Sequence, residues 1–124
     1  MSSREIAVES LYATGKWFLD TEAIGKAMDV FRMLVLVAST DERGWLGVGA
    51  CHEALGQPTV ALDVYALGVK AARSVRCHVA RARTLRALSR DDEADGALEA
   101  AAALVDEVDD ADLQRLVHDE RRAA

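Results

Sequence analysis

Two dipeptides, Cys51-His52 and Cys77-His78, combine residue types that bind zinc and that serve in nucleophilic catalysis. Either chemistry needs the side chains to converge on one point. Neighbouring residues on a helix project about 100° apart, so neither pair readily closes on a tetrahedral ion. A Cys–His nucleophile would also need a cleft and an orienting third group, which the sequence does not suggest. The chain has no phosphate-binding glycine loop, no nucleophile elbow and no His-Glu pair at helical metal spacing. The expectation is a protein that is not an enzyme, with no metal and no cofactor, in which His52 and His78 serve packing.

Charge is the other chemistry on offer. Lys70, Arg73, Arg76, Arg81, Arg83, Arg86 and Arg90 fall in a stretch without Asp or Glu from Ala66 to Arg90, and 12 of the 21 acids lie between Asp91 and Glu120. Arg76, Arg83 and Arg86 share one helical face, suited to carboxylates of a bound partner. Pairing with the acidic helix after Ser89 stays open beside that reading. Nucleic-acid binding is not expected, because the adjacent acids oppose it and no aromatic interleaves the arginines. A net charge of −6 argues the same way.

The elements that would carry these residues are helical. Of 124 residues 23 are alanine, while aromatics make up 5% and there is one proline, which favours close helix packing over a sheet. Helical periodicity breaks near Asp20–Glu22, Ser39–Asp41, Gly56–Pro58, Ser74, Ser89–Asp91 and Asp109–Asp110, leaving room for seven helices of roughly 12 to 16 residues. Ser2 and Ser39 each precede a glutamate by three residues, Glu5 and Glu42, as capping boxes would, and Pro58 suits a first helical turn. The longest apolar run, Met33 to Ala38, is too short to span a bilayer, and MSSREIAVES carries no hydrophobic signal core. Two cysteines are too few for a disulfide framework, so a cytoplasmic protein with reduced thiols is expected, without direct membrane insertion.

Self-similarity at a period of 34 organises the helices. Gly15 recurs as Gly49, Phe18 is echoed by His52, Ala27 recurs as Ala61 and Phe31 as Tyr65. That is the tetratricopeptide period, and Trp45-Leu46-Gly47-Val48-Gly49 followed by Gly56, Ala61 and Tyr65 resembles the repeat's consensus. A weaker third copy has Ala82, Leu85, Ala94 and Leu98, one residue short of the period, with Ala82 at the glycine position. Small residues at Gly15, Gly49 and Ala82, opposite Ala27, Ala61 and Ala94, would let paired helices approach, while Phe31, Trp45, Tyr65 and Leu98 fill the gaps between hairpins. The expected fold is an all-α tetratricopeptide-repeat solenoid in one domain, 1–124, with repeats at about 8–41, 42–75 and 75–108. A capping helix at about 110–122, with Leu113, Leu116 and Val117 on one side, would close it.

Leu11-Tyr12, Val30-Phe31, Gly47-Val48-Gly49-Ala50-Cys51, Ala54-Leu55-Gly56-Gln57 and Ala61 through Tyr65 resemble the class II chaperones of bacterial type III secretion, over roughly residues 8 to 105. The resemblance implies a cytoplasmic, non-enzymatic chaperone whose concave groove takes an extended segment of a hydrophobic translocator and keeps it soluble and export-competent. Members usually carry a longer N-terminal helical region that contributes to dimerisation, whereas about seven residues precede the first repeat here; a homodimer stays among the partners considered. Ile24 stands where the family tends to place an aromatic. Two other readings remain: an adaptor joining folded cytosolic proteins, and a chaperone of a secretion needle subunit.

In such a stack the first helix of each hairpin lines the concave surface. Residues there that packing does not claim are Tyr12, Lys16, Leu19, Arg43, Leu46, Ala50, Val79, Arg83 and Arg86, together with Glu9, Glu53 and Arg76. Tyr12 carries over from the family's Leu-Tyr pair as a pocket wall. Leu46, Ala50 and Val79 would offer apolar contact, and Arg83 and Arg86 would meet acidic groups of the client.

Overall fold

Seven α-helices follow one another in the computed structural model, which describes residues 1–123: α1 Ser3–Asp20, α2 Ile24–Val37, α3 Glu42–Ala54, α4 Pro58–Ala72, α5 Val75–Ala87, α6 Asp91–Val105 and α7 Ala111–Arg122. The described residues contain no strand. Helices α1, α3, α5 and α7 start on side-chain caps, which satisfy amides that have no partner inside the helix. Ser2 accepts from the Glu5 amide at 3.1 Å and Ser74 from the Cys77 amide at 2.9 Å. Asp110 accepts from the amides of Asp112 and Leu113. The expected Ser39 cap is corrected: Asp41 accepts from the Arg43 amide at 3.0 Å, since the chain turns helical only after it. The cap at Ser2 also lets α1 begin at Ser3 and run for 18 residues, longer than periodicity suggested.

The three hairpin turns repeat one geometry. Ala23 donates to the Phe18 carbonyl at 2.8 Å, Gln57 to that of His52 at 2.9 Å and Arg90 to that of Leu85 at 2.9 Å. In each turn the preceding residue is left-handed: Glu22 at φ 64°, Gly56 at φ 71° and Ser89 at φ 59°. This is the Schellman ending of a helix, for which glycine is the unstrained residue. Here only the middle turn has it.

The layering follows from which helices touch. Successive helices pack on one another, and α1 meets α3, α3 meets α5 and α5 meets α7, whereas the backbones of α2, α4 and α6 stay apart from one another. The first helices therefore crowd on an inner, concave surface and the second helices fan outward. Ala27, Ala61 and Ala94 are fully buried between them. The glycines admit aromatic rings instead of lying only against these alanines. The Phe31 ring occupies the space of a Cβ on both Gly15 and Gly47, at 2.7 and 2.2 Å, and so joins α1, α2 and α3. Tyr65 does the same at Gly49, and Trp45 and Cys77 press on Gly68. Leu98 sits in the core that α5 and α6 share with Val117 of α7.

Candidate functional site

The inner stripe of α3 reads Arg43, Leu46, Ala50 and Glu53, at steps of three and four residues that keep them on one helical face. Leu46 and Ala50 of this stripe meet Tyr12, Lys16 and Leu19 of α1 around a cavity of about 210 Å³, with Phe31 and Gly47 as further walls and Arg43 at its edge. Six of the nine expected groove residues thus come together in one place. Repeat packing accounts for only part of Phe31, whose ring serves as both core and pocket wall. Clefts of 410 Å³ around Arg4 and Asp41 and of 440 Å³ around Gln114 and Arg121 are larger, but charged side chains line more of them. The inner pocket has the most apolar walls of these clefts.

Arg43 is a fixed part of that wall. Its guanidinium donates to Asp41 through Nε at 3.0 Å and Nη2 at 2.8 Å, and to Glu9 Oε1 at 2.9 Å, while lying 5.0 Å from the centre of the Tyr12 ring. These contacts hold the Asp41 carboxyl below the usual carboxylate range, chiefly through the hydrogen bond from Arg43, and raise Arg43 further. Lys16 reaches Asp20, one turn along its own helix, at 3.7 Å, with both side chains exposed.

The three expected groove residues on α5 are placed differently. Val79 is corrected from groove to core: it is 1% exposed and lies in the cluster that contains Leu85, Leu98 and Val117. Ala94, Ala97 and Ala101 of α6 share that core with Val79, whereas Leu46 is only partly buried. Arg83 and Arg86 are already paired inside the chain. Arg83 Nε donates to Glu120 Oε1 at 2.6 Å and Arg86 Nη1 to Glu120 Oε2 at 2.9 Å, with a further bond from Arg86 to the Glu120 backbone carbonyl at 3.1 Å. Their acceptor is on α7, beyond the acidic helix considered from sequence. Arg76 likewise donates to Glu42 at 2.9 Å, beside the Ser74 hydroxyl at 2.7 Å.

Glu120 was not singled out from sequence, although a signal existed. Glu9–Arg43, Glu42–Arg76 and Arg86–Glu120 are all 34 residues apart, so the repeat period itself brings one acid and one arginine together across each neighbouring pair of inner helices. The inner face is laced by its own ion pairs.

The cysteine–histidine pairs do not line this pocket. Cys51 and Cys77 are free and buried, and burial pushes both thiols up, Cys77 to about 11. His52 Nδ1 is 2.8 Å from Gln57 Oε1 across the hairpin turn, and burial, then Arg81, lowers His78. Among the described residues no group of three ligand side chains is gathered, and no helix is long and apolar enough to cross a membrane.

No family model matches the chain, and no curated protein matches it in sequence. Solved structures do match. The type III secretion translocator chaperone SycD of Yersinia enterocolitica superimposes with a TM-score of 0.80 at 25% identity, over 94% of this chain and 86% of that one. PcrH, from Pseudomonas aeruginosa, in complex with the chaperone binding region of PopD gives 0.78 at 26% identity, over 99% and 90% of the two chains. SycD in complex with a peptide of the translocator YopD gives 0.75 at 26% identity, over 98% and 93%. The all-helical fold and the resemblance to translocator chaperones therefore hold over nearly the whole chain.

Proposed function

We propose that the chain is a cytoplasmic chaperone, without catalytic activity, that binds an extended segment of a hydrophobic type III secretion translocator on its inner face and keeps it soluble for export. The observation that carries this reading is the apolar pocket between α1 and α3, formed by Tyr12, Leu19, Leu46 and Ala50, in a fold whose relatives hold a YopD peptide and the chaperone binding region of PopD. An apolar side chain of the segment enters that pocket, and burial of its surface supplies the affinity from which the cost of ordering the segment is subtracted. Arg43, tied down by Asp41 and Glu9, keeps the Tyr12 ring in place as a wall.

The inner ion pairs refine the mechanism. With Arg83 and Arg86 both engaged by Glu120, recognition rests on apolar contact in the first two hairpins instead of on a free arginine cluster. Self-association is the second partner relation supported. Trp17, Met33 and Leu36 leave the first hairpin with exposed apolar surface, Leu36 at 82%, and a SycD structure is described as an alternative dimer.

Co-expression with the translocator made by the same host is the test. A soluble complex with that translocator supports the reading. A translocator that stays insoluble, with a needle subunit or a folded cytosolic protein recovered instead, supports the needle-chaperone or adaptor reading.

A further inference from the structure

Once the inner ion pairs are accounted for, one carboxylate of the α3 stripe is left over. Glu9 faces Arg43, Glu42 faces Arg76 and Glu120 faces both Arg83 and Arg86, whereas Glu53 takes part in no ion pair among the described residues. Its side chain is nevertheless fixed. Thr84 Oγ1 of α5 lies 2.8 Å from Oε1, sharing its one hydrogen between that oxygen and the Ala80 carbonyl at 3.0 Å, and the Tyr65 hydroxyl of α4 donates to Oε2. The Tyr65 ring reaches across because Gly49 has no Cβ in its path. Each carboxylate oxygen still has acceptor capacity, and the residue is exposed.

We infer that Glu53 is a specificity-determining residue of the groove, an anion held ready for a lysine or arginine side chain of the bound segment beside its apolar anchor. The inference rests on the groove reading above and names the charge the segment carries. Ala50, a pocket wall, lies one helical turn before Glu53 on the same face. One segment therefore meets both. The two hydroxyls hold the carboxylate in one rotamer, so pairing with a cation costs little further side-chain ordering. The sequence left open a preference for acidic clients through Arg83 and Arg86; Glu120 engages both, and they stand on α5, outside the apolar pocket. The negative charge that remains on the stripe selects the opposite sign.

Twelve-residue synthetic peptides that share one leucine anchor, with Lys, Arg, Gln or Glu at each flanking position in turn, would be titrated against the full chain by fluorescence anisotropy at low salt. At the productive position the Lys and Arg peptides should bind about two- to fivefold tighter than the Gln peptide, as expected for a pre-positioned but solvent-accessible pair. Glu53→Gln, which keeps an acceptor for one of the two hydroxyls and removes the charge, should abolish that advantage while the chain stays helical and still binds the Gln peptide. Glu53→Lys should transfer the preference to the Glu peptide. A basic preference that survives Glu53→Gln overturns the assignment, as does wild-type protein that binds the Gln and Lys peptides equally. A Glu-peptide preference that disappears in Arg83→Gln also overturns it. If no peptide binds the wild-type chain, the groove reading falls and takes this inference with it.

Discussion

The Tyr65 ring lies where a side chain on Gly49 would begin: a Cβ there would stand 2.1 Å from Tyr65 Cε1. The absence of one methyl group thus allows α3 and α4 to close and lets the tyrosine hydroxyl meet Glu53 at the inner surface. Gly49→Ala should cost on the order of 1–3 kcal/mol through overpacking, read as a loss in chemical denaturation. Gly96, in the middle of α6, has nothing within 4 Å of the same ideal atom. Gly96→Ala should be neutral or stabilise by up to about 1 kcal/mol, because alanine is the better helix former. Equal effects at the two sites would contradict the packing described.

The hairpin turns offer a stabilising change. Glu22 and Ser89 adopt the left-handed conformation that Gly56 adopts without strain. Glu22→Gly and Ser89→Gly should each stabilise the fold by up to about 1 kcal/mol, and Gly56→Ala should destabilise it by a similar amount. Thermal melts check this, and a loss of stability at Glu22 and Ser89 would mean that those side chains do something the turn geometry does not reveal.

Two ion pairs with the same 34-residue spacing should differ in worth. The side chains of Arg86 and Glu120 are 21% and 11% exposed, whereas those of Arg73 and Glu107 are 71% and 61% exposed. A double-mutant cycle on Arg86 and Glu120 should give a coupling of about 1–2 kcal/mol, and the same cycle on Arg73 and Glu107 less than about 0.5 kcal/mol. Comparable couplings would contradict the expectation that the more buried pair contributes more.

Burial pushes the Cys77 thiol up to about 11 and raises Cys51 as well. At pH 8 the reactive thiolate is therefore scarce, and both sulfurs are enclosed. A disulfide reagent should label neither cysteine in the folded chain and both on unfolding, with the labelling rate tracking denaturant. Fast labelling at pH 8 would show that the core opens around α3 or α5.

Much of the architecture is legible because it repeats. Gly15 and Gly49, Ala27 and Ala61, Phe31 and Tyr65 recur at one spacing, and the first-helix faces that carry Tyr12, Leu46 and Ala50 follow from helical geometry alone. What lies across a helix from another repeat is harder to read. Val79 looks like Leu46 in sequence, but it lies in the core that α5 shares with α6 and α7. Arg83 and Arg86 look free until Glu120 is brought beside them from more than 30 residues away. The cap at α3 is not legible in sequence because Ser39 and Asp41 both have capping chemistry, and only the backbone path decides between them. The left-handed turns at Glu22 and Ser89 carry no glycine to announce them.

The central claim is that the pocket between α1 and α3 holds the client segment, and calorimetric titration tests it most directly. The extended segment would be identified by pull-down and mass spectrometry from the native host, then titrated into wild-type protein, Leu46→Asp, Tyr12→Ala and Asp63→Ala. Leu46 and Tyr12 line the pocket, while Asp63 is exposed on α4, in the outer layer. Leu46→Asp and Tyr12→Ala should each weaken binding by about 2 kcal/mol or more with helicity retained, the loss expected for a desolvated anchor site, and Asp63→Ala should change it by less than about 0.5 kcal/mol. Normal binding by the Leu46 and Tyr12 variants together with loss in Asp63→Ala would contradict the account and move recognition to the outer face.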